Sequence, residues 1–112
     1  MPAYKIILTW ESIYDVAEIA EYIEDRFSEY DANKFQNNIR EEFQKLALNA
    51  KLYTKTHILY RGYSIYKKIF LPSLIFYMIK ENEKEIHILR ILRNERNWEE
   101  TLKSTNNYTY PE

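Results

Sequence analysis

The stretch E-I-H-I-L-R-I-L-R-N-E-R-N-W-E-E, Glu85 to Glu100, holds a strand and its abrupt end. Ile86, Ile88, Leu89, Ile91 and Leu92 form an apolar run that predicts a strand over 85–93. The pattern stops at Asn94, and 95–102 reads as a helical turn or two. Arg90, Arg93 and Arg96 stand on and just beyond that strand. Planar guanidiniums on a rigid element suit recognition of phosphate or carboxylate.

Working outward, L-I-F-Y-M-I (Leu74 to Ile79) predicts a strand apolar on both faces, joined to 85–93 by the polar connection 81–84. Ser64 to Leu71, with Ile65, Ile69 and Phe70 around Lys67-Lys68, predicts the strand before it, and Pro72-Ser73 the turn between. Tyr60-Arg61-Gly62-Tyr63 holds the only glycine and reads as a turn or bulge, while 51–59 reads as a loop.

At the other end, Tyr4 to Leu8 predicts a strand and Thr9 an N-cap. Ile13, Val16, Ala17, Ala20, Ile23 and Phe27 then recur at helical spacing. Glu11, Asp15, Glu18, Glu21 and Asp25 lie opposite and read as a solvated face rather than acid–base pairs. Asp31 can cap a second helix, whose stripe of Ala32, Phe35, Ile39, Phe43, Leu46 and Ala47 runs to about Ala50. The short connection makes the helices an antiparallel hairpin.

The expected fold is therefore α+β, in the order β-α-α-β-β-β. The hairpin packs on one face of a mainly antiparallel four-stranded sheet. One domain spans 1–102, followed by a polar tail, 103–112, that is mobile unless docked. One hairpin covers one face only. A strand apolar on both faces needs a second cover, either the segment with Trp98 or a partner chain.

The 112 residues include 11 Tyr, 5 Phe and 2 Trp but no cysteine, which excludes disulfides and thiolate metal sites. No apolar run approaches the ~20 residues of a membrane span, so a soluble, cytoplasmic protein is expected. Net charge is −1, yet residues 1–50 hold five Lys/Arg against ten Asp/Glu, and 51–103 hold eleven against six. A pI near 6.2 argues against a general nucleic-acid coat but leaves room for a basic face.

That face is Arg61, Lys67, Lys68, Arg90, Arg93 and Arg96, interleaved with Tyr63, Tyr66 and Tyr77. If the last three strands are neighbours, these side chains converge. Cations hold phosphates and rings stack unpaired bases. RNA cleavage needs a base at the 2′-hydroxyl, neutralised phosphorane charge and a protonated leaving oxygen. Crowded lysines lower one another's pKa, so Lys67 or Lys68 is a candidate base. The plainer reading is a solvated strand edge that discourages aggregation. His57 and His87 lack carboxylates at ligand spacing, so neither a metal nor another cofactor is expected.

The opening Y-K-I-I-L-T, the helix ending Y-I-E-D-R-F, the strand L-I-F-Y-M-I and the close L-R-I-L-R-N-E-R-N-W together resemble the RelE/ParE superfamily of bacterial toxins. The last looks like that group's terminal L-R-V-L-H-x-x-R-D-W. The resemblance covers Tyr4 to about Leu102. It implies the toxin of a type II toxin–antitoxin module, wrapped by a cognate antitoxin, a candidate for the missing cover.

RelE-like members cut messenger RNA on the ribosome, whereas ParE-like members poison DNA gyrase without a known catalytic set. This chain departs from the pattern. Arg93 stands where histidine is usual, Arg96-Asn97 replaces Arg-Asp, and no tyrosine follows within 97–102. Tyr108 could stand in only if the tail folds back. The basic sheet half favours a ribosome-dependent mRNA endoribonuclease. Arg61, Lys67, Lys68 and Arg93 would then be catalytic, with Arg90, Arg96, Tyr66 and Tyr77 on the substrate. The alternative is a non-enzymatic gyrase inhibitor.

Overall fold

Thr9 is the hinge on which the N-terminal third turns. In the computed structural model, which describes residues 3–111, it separates β1 (Lys5–Leu8) from α1 (Trp10–Arg26). Then follow α2 (Glu29–Leu48), β2 (Thr54–Tyr60), β3 (Tyr63–Phe70), β4 (Ser73–Lys80), β5 (Glu85–Arg93) and α3 (Trp98–Ser104). The Thr9 hydroxyl accepts the Ser12 N–H at 3.0 Å, capping α1 as expected. It also lies within donating distance of the Ile88 and Leu89 carbonyls, at 3.0 and 2.9 Å. Helix start and sheet are thus tied through one oxygen.

Ser28, not Asp31, caps α2. Its hydroxyl accepts the Asp31 N–H at 3.0 Å and donates to the Asp31 carboxylate at 2.9 Å. Asp31, three residues in, thus meets the cap twice, through its N–H and through its carboxylate, both on the Ser28 hydroxyl.

The sheet runs β1-β5-β4-β3-β2, with β1 parallel to β5 and every other pair antiparallel. It has five strands rather than four, because the stretch read as a loop contains most of β2. Only Ile58 and Tyr60 of that edge strand are buried. A bulge between Lys55 and Leu59 breaks the two-residue alternation that would have marked it. Tyr60 opposes Tyr63, so Arg61 and Gly62 form a two-residue hairpin turn with φ of 49° and 86°. Positive φ at both central positions is what a type I′ turn demands, and it explains the glycine.

The helical hairpin covers one face: Ile19, Ile23, Phe35, Ile39 and Leu46 pack on Tyr66, Ile75, Tyr77, Ile86, Ile88 and Ile91. The opposite face presents Ile65, Leu74, Phe76, Met78, Leu89 and Leu92. Its cover is the chain's own C-terminal segment, with Trp98, Leu102, Tyr108 and Tyr110 packed down. Trp98 lies 5.2 Å from Phe76, and Tyr108 meets Tyr60 edge-on at 4.7 Å. Both faces of β4 are consequently dry from Ser73 to Met78.

Candidate functional site

β1 stops at Leu8, opposite Ile88, which leaves the edge of β5 beyond that point without a strand neighbour. α1 takes over there. Asp15 accepts the Ile91 N–H at 2.9 Å in place of a ladder bond. Its two oxygens also receive Arg90 Nε and Nη2 at 2.7 and 2.9 Å. Asp15 was read as part of a solvated face, but it is 8% exposed. Burial pushes its carboxyl upward against those three donors, and its carboxylate holds the Arg90 guanidinium above the usual arginine range. Arg90 is a bidentate structural pair, not an open ligand for phosphate.

Lys67 and Lys68 point to opposite faces, as neighbours on a strand must. Lys68 turns to α2, where Nζ lies 2.6 Å from Glu42 Oε1 and 4.8 Å from the Tyr53 ring. Lys67 turns the other way, 5.0 Å from the Trp98 ring. The two ammoniums therefore do not crowd each other. Tyr66 and Tyr77 belong to the core beneath the helices, stacked at 5.2 Å. Tyr77 donates to the Ala50 carbonyl at 2.7 Å, and burial raises its phenol.

Arg61 sits in the β2–β3 turn, donating to Asn107 Oδ1 at 2.6 Å. Arg93 ends β5 at the other end of the sheet, opposite Ser73. That separation is roughly 25 Å along the strands. Arg93 lies over the Tyr22 ring at 3.9 Å, with Nε 3.1 Å from Glu95. Arg96 reaches Glu18 at 3.3 Å. The cleft beside Arg93 is lined by Glu18, Glu21 and Asp25, so it does not suit an anion. The structure brings Arg93 and Arg96 to one region and scatters the rest.

Sequence reasoning missed the role of the tail. Trp10 N–H donates to the Thr109 carbonyl at 2.8 Å, while the Thr109 amide and hydroxyl each donate to Glu11 at 2.9 Å. His87, buried on β5, bonds Tyr110 at 2.7 Å and Glu85 at 2.9 Å. The tail does fold back, but Tyr108 is 4% exposed and burial lifts its phenol to about 12. It is a core ring, unsuited to passing protons near neutrality. The alternation of Tyr108 and Tyr110 was the available sign of a packed, extended segment.

Burial acts to raise the Glu11 carboxyl, but the Thr109 donors, the Glu11 backbone N–H and the Arg90 charge together outweigh it and the net shift is downward. A carboxyl depressed in the folded state stabilises it above the unfolded pKa and ceases to do so as pH falls through the folded value. The protection factor of the Thr109 amide should therefore be high near neutrality and fall only as pH drops below the ordinary carboxylate range. Constant protection from neutrality to well below that range would contradict the docking contact.

A family model described as the ParE toxin of the type II toxin–antitoxin system parDE matches residues 6–98. Among solved structures, a chain from the chromosomal ParDE system of P. aeruginosa aligns with a TM-score of 0.68 at 22% identity. The alignment covers 83% of this chain and 98% of that one, a likeness of fold. No curated protein matches. The matched stretch ends at Trp98, so most of α3 and the docked tail lie outside it.

Proposed function

Because this chain belongs to the ParE toxin family of type II toxin–antitoxin systems, we propose that it arrests growth by binding its target, DNA gyrase, and not by cutting RNA. The observation that carries this reading is the disposition of the cations. Arg90 and Lys68 are held in largely buried pairs with Asp15 and Glu42, and Tyr66 and Tyr77 are core. RNA cleavage requires a base, an acid and compensating charge within hydrogen-bond reach of one phosphate. Arg61, Lys67 and Arg93 stand on different faces or ends of the sheet. Arg61 and Lys67, which have no carboxylate partner among the described residues, serve instead as contacts to the target, which rewards charge without needing convergence. A cognate antitoxin restrains the toxin until it is lost.

The test is expression without antitoxin, with labelled thymidine and labelled amino acid followed side by side. Thymidine incorporation should fall first, with DNA-damage signalling and intact messages. Early loss of translation with cleaved messages would overturn the proposal and restore the ribosome-dependent endoribonuclease.

A further inference from the structure

An open apolar surface lies at the tip shared by the helical hairpin and the β3–β4 turn. Phe27, just past α1, is 72% exposed and Leu71 is 70% exposed. With Phe70 and Pro72 they line a cleft of about 390 Å³, which Ile23 and Phe35 also border. Tyr30, on the first turn of α2, is as exposed as Phe27. The rim carries Asp31 and Lys34, three residues apart on one helix face. Asp31 bonds only to Ser28, and Lys34 has no carboxylate partner among the described residues.

We propose that this tip is the interface of a symmetric homodimer. A twofold contact must be complementary to itself, since each residue of one copy meets its counterpart's neighbour on the other. This patch meets that condition twice. It holds both a cleft and the projecting Phe27 ring that can enter its partner's cleft. It also holds one acid and one base, so that Asp31 of each protomer faces Lys34 of its partner. A rim of one sign would repel its own copy. On the outer face of α1, Glu18, Glu21 and Asp25 outnumber the neighbouring Arg93 and Arg96, a balance less complementary to itself than that of the tip. Four side chains offer on the order of 400 Å² per copy, about half the usual share. Association is accordingly weak and concentration-dependent.

Sedimentation of the full chain from micromolar to millimolar concentration tests this. A monomer–dimer equilibrium is expected, weakened at least tenfold by Leu71→Asp. Asp31→Lys and Lys34→Asp should each abolish it, because each gives the rim a single sign. Mixing those two variants should restore a dimer as a heterodimer, which shows that neither failed through misfolding. Lys34→Asp also leaves the Ser28 cap untouched. A monomer at every concentration, or a dimer indifferent to these changes, would overturn the proposal.

Discussion

Asp15→Ala is expected to lower the free energy of unfolding by about 3 kcal/mol, the lower end of the cost of breaking a buried ion pair. The alanine would leave Arg90 charged and three-quarters or more enclosed, and the Ile91 N–H without an acceptor at the edge of β5. Both losses come from leaving a group unpaired, which costs more than a pair contributes. Removing both charges together should cost less: Asp15→Leu with Arg90→Met should recover the share due to Arg90 and leave only the cost of the unpaired Ile91 N–H, about 1–3 kcal/mol. Urea denaturation of the two variants checks this. A loss below about 1 kcal/mol for the single change would mean that the pair is solvated and incidental.

Tyr108→Ala should cost a similar amount, about 3–4 kcal/mol, the range for deleting a large aromatic from a core. For a domain of this size that corresponds to a fall in melting temperature of roughly 10–15 °C. The residue lies beyond the stretch that matches the family, in a segment without regular structure, so a peripheral tail would predict almost no effect. Its ring instead closes the second face of the sheet against Tyr60, and its N–H donates to the Tyr60 hydroxyl at 3.1 Å. A melting temperature unchanged by the substitution would show that the tail does not cover that face in solution.

Elements whose burial is periodic were legible in the sequence. α1 and α2 announce themselves through apolar steps of three and four, β4 through an unbroken apolar run, and Thr9 through its place before Trp10. β2 was not legible because an edge strand with two buried residues and a bulge carries no alternation. The helical hairpin was read as one cover and the C-terminal segment as one candidate for the other, which it is.

The candidate site fared differently for a physical reason. Residue type tells what a side chain can bind, not what already holds it. Arg90 finds Asp15 75 residues away, and Lys68 finds Glu42 on a helix whose rotation the stripe fixes only approximately. Both acids belong to faces that charge alone marks as solvated, yet each is under a tenth exposed. Lys67 and Lys68 could have been separated from sequence alone, since adjacent strand residues face apart.

The most direct measurement is made with purified components. Gyrase with supercoiled plasmid and ATP, and in parallel ribosomes programmed with message, are each incubated with the chain. Denaturation of the gyrase mixture should release broken plasmid with gyrase attached, while the ribosomal message stays full length. Intact plasmid together with message cut at the ribosome would contradict a toxin that acts by binding.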